Sequence, residues 1–232
     1  MDPAEFDEYA KDYEKMHLDN IRITGEEPSY FSDYKIDQLR LLADSLGLQN
    51  PDVMDFGSGI GNSLPGFRRN FGSSRIVCAD VSSESIDQAR KLNPGDEEYC
   101  HIDGKTIPLP DDQFDLVFTA CVFHHIPQNE HVHWFEEIRR VTRPGGKLVV
   151  FEHNPRNPLT VHAVNTCPFD VNARLIKTGE MRKTVRQAGW KDVKIDYHIF
   201  FPAKLKALRP LEKRLRWCGL GAQYMCVAEC PG

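Results

Sequence analysis

The sequence predicts an α/β fold in which a parallel sheet is buried between helices. From residue 51 onward, short apolar segments alternate with segments whose apolar residues recur at helical spacing. The 232 residues are 41% hydrophobic and 27% charged, which is an ordinary globular composition. Strands that alternate with helices imply βαβ units, and the sheet of such units is covered on both faces.

Hydrophobic periodicity and turn residues place the individual elements. Gly47 is expected to end the helix at residues 30–46, and the RPGG segment at residues 143–146 marks a reversal from helix to strand. Residues 154–172 are expected to form a long irregular segment. Strands are expected at residues 53–56, 75–80, 98–102, 114–122, 147–151, 193–200 and 223–228, and helices at residues 30–46, 83–92, 129–141, 179–188 and 203–217.

The first twenty residues are acidic, but four of their aromatic and apolar residues follow a helical period. Phe6, Tyr9, Tyr13 and Met16 recur at steps of three and four, which predicts an amphipathic helix that packs against the rest of the chain. Together with the helix at residues 30–46 it forms the N-terminal helical cap.

Composition excludes several classes of protein. No window reaches the roughly 18 consecutive apolar residues that a membrane span needs, so no stable membrane insertion is expected. The acidic start lacks the layout of a signal peptide, so the protein is expected to be cytoplasmic. Seven cysteines without a Cys-x-x-Cys pair indicate reduced thiols. A net charge of −5 argues against nucleic-acid binding. The oligomeric state stays open.

A glycine-rich turn follows the first strand of the sheet. It has the pattern D-x-G-x-G-x-G over residues 55–61, which lets backbone amides approach a ligand closely. Asp80 ends the next strand, where a carboxylate can accept hydrogen bonds from ribose hydroxyls. The third glycine of the dinucleotide pattern G-x-G-x-x-G is replaced by Asn62. The turn therefore favours a nucleoside without phosphate, although it could also serve strand-to-helix geometry alone.

Together with Asp80, four segments at residues 53–61, 101–104, 114–118 and 143–148 resemble the successive motifs of class I S-adenosylmethionine-dependent methyltransferases. The likeness covers about residues 50–155 and is strongest to the small-molecule, type 11-like branch that includes ubiquinone and sugar methyltransferases. It implies a Rossmann-like, seven-stranded, mostly parallel sheet with helices on both faces and an antiparallel last strand. One domain then spans residues 1–232: a helical cap at 1–48, a cofactor-binding core at 50–155, and an acceptor-side loop with the C-terminal strands at 156–232.

The resemblance also implies roles for residues that match the motifs. Asp55 would fix the ammonium group of S-adenosyl-L-methionine, Asp80 its ribose, and Asp103 the exocyclic amine of its adenine. Backbone at the glycines would approach the methionine part, and the residues after the fourth strand would face the sulfonium. The full set is Asp55, Gly57, Ser58, Gly59, Gly61, Asp80, Val81, Asp103, Gly104, Ala120 and Cys121.

The predicted reaction is methyl transfer from the sulfonium to a small molecule, by in-line displacement and at oxygen. An acceptor that carries a proton benefits from a base, most often histidine. His124 and His125 follow the fourth strand and His153 ends the fifth, so all three are candidate catalytic residues. Two alternatives stay open: a nicotinamide-dependent oxidoreductase, and a non-catalytic S-adenosylmethionine-binding protein.

No metal site is predicted. His131 and His133 could be grouped with His124 and His125, but no cysteine or carboxylate stands at ligand spacing to complete a cluster. Two histidines at i and i+2 also point to different sides of a helix. A solvated helix surface is the favoured interpretation.

Two polar regions bear on the acceptor. In the segment at residues 154–172, Arg156 and Asn165 are candidates for acceptor contact, and a solvated connection held by prolines is the alternative. The basic run at residues 203–217 is interpreted as a helix that covers the sheet with a solvated basic face. Its alternative is contact with an anionic acceptor or membrane surface, such as a sugar- or lipid-linked acceptor.

Overall fold

The structure, a computed structural model, describes residues 26–232. Its seven strands form one sheet in the order β3-β2-β1-β4-β5-β7-β6. Neighbouring strands run parallel except around β7, which is antiparallel to both β5 and β6. The predicted sheet, with its antiparallel last strand, is therefore confirmed. The strands are β1 (Val53–Phe56), β2 (Ile76–Asp80), β3 (Glu98–His101), β4 (Phe114–Ala120), β5 (Thr142–His153), β6 (Lys191–His198) and β7 (Gln223–Glu229).

Helices cover both faces of this sheet. They are α1 (Pro28–Ser45), α2 (Leu64–Phe71), α3 (Ser83–Leu92), α4 (His131–Val141), α5 (Pro158–Thr166), α6 (Thr178–Gln187) and α7 (Glu212–Leu215). The amphipathic helix predicted around residues 6–16 lies outside the described residues.

Successive side chains of the central strands lie on opposite faces of the sheet and pack into two separate hydrophobic cores. Val53 packs with apolar residues of α1 and α2 on one face. Its neighbour Met54 packs with residues of α4 and α6 on the other face. Because both faces are covered, the strands read as continuous apolar runs instead of alternating with polar residues.

The strand β5 begins five residues earlier than predicted. Thr142 already pairs with Phe114, and the register then shifts before Leu116 pairs with Lys147. The shift absorbs the two glycines of the RPGG segment, of which Gly145 has a φ of 82°. The reversal that this segment predicts is thus a bulge within a longer strand.

Contrary to the expectation of a long irregular segment, residues 154–172 contain the helix α5 in their middle. The Asn157 side chain accepts hydrogen bonds from the backbone amides of Leu159 and Thr160, both at 3.0 Å. Pro158 supplies the first residue of the helix. Asparagine followed by proline is a recognised helix start, so the sequence did contain the signal.

The basic run at residues 203–217 is not one helix either. A 3₁₀ segment, Ala203–Leu211, contains a non-helical residue at Leu205 and carries Pro210, and only the short α7 follows. Leu205, Leu208 and Leu211 are exposed, so the predicted sheet-covering apolar face is absent from this run. No helix among the described residues is long and apolar enough to cross a membrane.

An aromatic pair that joins the turn after β4 to α4 gives a test of the core. The rings of Phe123 and Phe135 stack with centroids 4.0 Å apart, and both side chains are fully buried. We expect Phe135→Ala to lower the free energy of unfolding by about 3–5 kcal/mol, because it leaves a cavity in a packed core. Urea unfolding measures this change. Trp217→Ala is the control, since Trp217 is 80% exposed, and a comparable loss there would contradict the assignment of the core.

Candidate functional site

A cavity of about 700 Å³ lies at the carboxyl ends of the parallel strands. Residues that follow β1, β2, β4 and β5 line it, together with parts of α1, α5 and the segment after β6. This edge is where open α/β sheets bind their ligands, because the connections diverge there.

The glycine turn brings backbone against this cavity. Gly57 has a φ of 75°, and a Cβ there would lie 2.8 Å from Val122 Cγ1 and closer still to Cγ2. Gly61 has a φ of 82°, and its Cβ would lie 3.0 Å from Leu64 Cδ1. Both positions therefore require glycine for conformation and for space.

Asp80 is buried beside this turn. Its Oδ2 accepts a hydrogen bond from the Gly59 amide at 2.8 Å, and its Oδ1 accepts one from the Ser82 amide at 2.9 Å. Burial raises the pKa of this carboxyl, and the amide hydrogen bonds oppose that shift. Asp80 and Val81 both line the cavity, and two amide donors leave lone pairs of the carboxylate for further donors.

Asp55 is fully buried at the floor of the cavity. Burial and the nearby Asp80 raise its pKa, Lys35 lowers it, and the net effect brings it to about 7. A raised pKa means that the stability contributed by the neutral carboxyl is present at low pH and is lost as the pH rises through about 7.

Buried polar atoms without a hydrogen-bond partner show whether the cavity fits a polar ligand. Within residues 26–232, no hydrogen-bond partner is found for the buried atoms Asp55 Oδ2, Ser58 Oγ and Gln223 Oε1. All three residues line the cavity. Leaving such groups unpaired costs free energy, so the site fits a bound group that supplies donors, as S-adenosylmethionine does.

Asp103 and Gly104 do not line the cavity. The Asp103 carboxylate is exposed and its Oδ1 accepts hydrogen bonds from the backbone amides of Lys105 and Thr106, at 2.9 and 3.1 Å. Ile102 lines the cavity in this region. Contact of Asp103 with the adenine edge stays a prediction, and this local turn competes with it.

Ala120 and Cys121 lie where β4 ends, as the motif predicts, and both line the cavity. Cys121 has a φ of 59°, which is unusual for a residue other than glycine, and its amide donates to the Phe151 carbonyl at 2.8 Å. Burial raises the pKa of its thiol, but His153 and Lys35 more than offset this and bring it to about 7. Lys35 Nζ lies 3.5 Å from the sulfur.

Lys35 and Gln223 are cavity residues that sequence reasoning missed. Lys35 lies on α1 and Gln223 begins β7, so they come from opposite ends of the chain. No local pattern marks either residue, because only the packing of α1 and β7 around β5 brings them to Cys121. Of the aromatic residues in the cap, Phe31 lines the cavity, whereas Tyr30 packs under the Arg209 guanidinium.

The candidate histidines converge on one wall. His124 Nδ1 lies 2.7 Å from Glu152 Oε2, and its Nε2 lies 3.5 Å from Asp170 Oδ1. Burial lowers the pKa of His124, but the two carboxylates outweigh it and raise that pKa to about 10. Burial and the charge of His124 lower the pKa of His125 to about 3. His124 therefore holds its proton, which does not suit a general base.

His153 lines the cavity next to Cys121, so it faces the space where a ligand would lie. Arg156 and Asn165 are exposed and do not line the cavity. The wall of the cavity that comes from α5 and the segment after β6 is instead mainly apolar: Leu159, Ala163, Val164, Phe200, Phe201 and Pro202.

A family model described as a methyltransferase domain matches residues 54–150. This segment is a class I methyltransferase domain of the type 11 branch. Its class uses S-adenosylmethionine, so the predicted cofactor is confirmed at the level of the family. The match also argues against the nicotinamide-dependent alternative.

Known proteins resemble this chain over different spans. The ubiquinone/menaquinone biosynthesis C-methyltransferase of Hahella chejuensis is 29% identical over 56% of this chain and 55% of its own length. The 2-methyl-6-phytyl-1,4-hydroquinone methyltransferase of Synechocystis is 29% identical over 55% of this chain and 41% of its own. The chain thus spans about half the length of these curated relatives.

A solved structure matches over the full length. The S-adenosylmethionine-dependent methyltransferase of Aquifex aeolicus superposes with a TM-score of 0.64 at 19% identity, covering 99% of both chains. At this identity the likeness shows the fold.

The requirement for glycine at position 57 is testable. We expect Gly57→Ala to lower affinity for S-adenosylmethionine by about tenfold or more, because its Cβ would displace Val122 and the positive φ costs about 1–2 kcal/mol. Gly145→Ala is the matched control: Gly145 has a φ of 82° and no atom within 4 Å of its added Cβ. Calorimetric titration measures both variants. Equal affinities would contradict a role for this turn in cofactor binding.

Proposed function

We propose that this protein transfers a methyl group from S-adenosylmethionine to a ring carbon of a hydroxylated aromatic small molecule. One observation carries the proposal: a single cavity joins the glycine turn and Asp80 to an apolar wall from α5 and residues 199–202. Cys121 and His153 lie along the same cavity. Such a cavity holds two ligands side by side, which in-line transfer requires.

The cofactor half of the proposal assigns a role to each polar group. Asp55 and Ser58 would receive the donors of the methionine part, since their buried oxygens lack partners among residues 26–232. Asp80 would accept from the ribose hydroxyls, while the Gly59 amide keeps the carboxylate oriented. S-adenosylmethionine, when bound, supplies an electrophilic methyl group.

The acceptor half rests on shape and on one base. The apolar wall would hold a flat, hydrophobic ring and exclude water, which limits hydrolysis and strengthens electrostatic contacts. His153 would take the proton that the acceptor loses, because it lines the cavity and, unlike His124, is not held between two carboxylates. His125 lies beside His124 in the same wall.

Carbon replaces oxygen as the proposed methylated atom. The relative from Hahella chejuensis is named a C-methyltransferase and the one from Synechocystis a hydroquinone methyltransferase. A hydroxyl on the ring supports either atom as nucleophile, so the apolar wall alone does not choose between them. A sugar- or lipid-linked acceptor stays a prediction.

Isotope transfer tests the acceptor class and the atom together. The protein is incubated with methyl-¹³C-labelled S-adenosylmethionine and with hydroquinones, catechols and sugar acceptors in parallel, and products are identified by NMR. We expect a labelled ring methyl on a hydroquinone. A labelled methoxy group would restore oxygen, and tight cofactor binding without any transfer would favour the non-catalytic alternative.

Cofactor affinity is expected to depend on pH through Asp55. Its carboxyl faces Asp80, Lys35 and Cys78 and has a pKa of about 7 in the free protein. The positive charge of the cofactor favours the ionised form, so binding below pH 7 releases a proton. Affinity should therefore rise between about pH 5.5 and 7, by at most about tenfold per pH unit.

Calorimetry in buffers of different ionisation enthalpy measures this proton release. Asp55→Asn is the control, because it keeps the shape of the side chain and removes its proton, and any release that remains belongs to the cofactor. Release that is unchanged in Asp55→Asn would contradict the role of Asp55.

A further inference from the structure

Three ligand-type side chains meet at one wall of the cavity. His124 and His125 lie in the 3₁₀ turn Phe123–His125 after β4, and Asp170 lies in the 3₁₀ turn Pro168–Asp170 after α5. Each offers one nitrogen or oxygen, and the three atoms lie within 4.8 Å of one another. The Arg174 amide donates to the His124 carbonyl at 2.8 Å, which fixes the chain after Asp170 against the histidine turn.

The distances between these atoms match those between neighbouring ligand atoms of one metal ion. Asp170 Oδ1 lies 3.5 Å from His124 Nε2 and 3.4 Å from His125 Nε2. Two ligands that each lie about 2.1 Å from one ion at the tetrahedral angle are about 3.4 Å apart. The same separations are long for direct hydrogen bonds, for which about 2.9 Å is usual.

Glu152 orients the ring of His124 through the nitrogen, Nδ1, that does not face Asp170. Its Oε2 lies 2.7 Å from His124 Nδ1, and its Oε1 accepts from the Phe123 amide at 2.8 Å. When a metal ion displaces the Nε2 proton of His124, its Nδ1–H still donates to Glu152 and the Nε2 lone pair is available to the metal. Histidines that bind metals commonly have a carboxylate in this position, which sets the tautomer and raises the basicity of the ligand.

Charge also favours a cation here. The side chains of Glu152 and Asp170 are 1% and 10% exposed, so two carboxylates lie almost out of solvent. Their ion-pair partners in residues 26–232 are the histidines. One divalent cation would take the place of the His124 proton and balance both carboxylates, leaving both histidines neutral, which is the form in which imidazole binds metals.

From this geometry we infer that His124, His125 and Asp170 bind one divalent transition-metal ion of the Zn²⁺ class, with Glu152 as the residue that positions His124. Two imidazoles and one carboxylate suit Zn²⁺, Mn²⁺ or Co²⁺, whereas Mg²⁺ prefers oxygen ligands. Asp170 supplies the carboxylate that the sequence pattern lacked. The site is distinct from the glycine turn and Asp80.

Three protein ligands leave at least one coordination position of such an ion open. His124, His125 and Asp170 all line the large cavity, so an oxygen of the acceptor would complete the shell. A metal-bound phenol loses its proton more readily, which activates the ring for methylation. This consequence rests on the proposed function, but metal binding itself does not.

Metal binding is tested on the full chain without cofactor or acceptor. Metal-stripped protein is titrated calorimetrically with Zn²⁺ and Mn²⁺, with Mg²⁺ for comparison, and Co²⁺ is added to report ligands through its visible spectrum. We expect one Zn²⁺ per chain and Co²⁺ bands of a four- or five-coordinate site without sulfur-to-cobalt charge transfer. Asp170→Asn and His125→Gln should weaken Zn²⁺ by about tenfold or more, and Glu152→Gln by about 10–100-fold.

His133→Gln is the matched control, because His133 is exposed on α4 and its Nε2 lies 2.6 Å from the Lys105 carbonyl oxygen. Its affinity for Zn²⁺ should equal that of the unmodified protein. No binding, binding that Asp170→Asn leaves unchanged, or a Co²⁺ spectrum dominated by sulfur would each overturn the inference. Circular dichroism checks the folding of the variants, and if they fail to fold the Co²⁺ spectrum of the unmodified protein decides.

Since the titration uses no cofactor, failure of metal binding leaves the proposed methyl transfer intact. Conversely, an inactive protein that binds Zn²⁺ through these residues would overturn only the proposed function.

Discussion

The buried carboxylate of Glu152 determines much of the geometry at the functional edge of the sheet. Glu152 is the penultimate residue of β5, next to β4; its Oε1 accepts a hydrogen bond from the Phe123 amide, and its Oε2 lies 2.7 Å from His124 Nδ1. A carboxylate without solvent must have its lone pairs satisfied, so the turn after β4 is fixed in one position relative to β5. Cys121 lies at the start of that turn, and His124 and His125 at its end.

Other parts of the wall depend on this turn. Cys121 has a strained φ of 59°, and the hydrogen bond from its amide to the Phe151 carbonyl is a second contact that joins this turn to β5. Val122 fills the space against which Gly57 has no room for a side chain. The glycine turn, the cysteine and the histidines are therefore coupled by packing, although they come from two different βα connections.

Burial also explains the electrostatics of the cavity. Burial raises the pKa of both Asp55 and Asp80, and the charge of Asp80 raises that of Asp55 further. Backbone amides and Lys35 offset part of the free-energy cost of burying these charged carboxylates, and a cationic ligand would offset more of it. Polar groups that are buried at a free-energy cost and left partly unpaired are common where a protein binds a charged molecule. Burial also raises the pKa of the Glu152 and Asp170 carboxyls, but there the nearby histidines outweigh it and lower both values.

Local patterns along the chain determined the alternation of strands and helices, most element positions, and the glycine turn with Asp80. The antiparallel last strand and the roles of the site residues were implied by the resemblance to methyltransferases. Alternating apolar segments, the D-x-G-x-G-x-G turn and Asp80 are short-range signals, since a strand and the turn after it are contiguous. Only the tertiary structure decided the apolar wall of the cavity, the contacts of Lys35 and Gln223 with Cys121, and the meeting of Asp170 with His124 and His125. Those contacts join residues between 45 and 102 positions apart. Their proximity is set by sheet order and helix packing, which leave no periodic trace in the sequence.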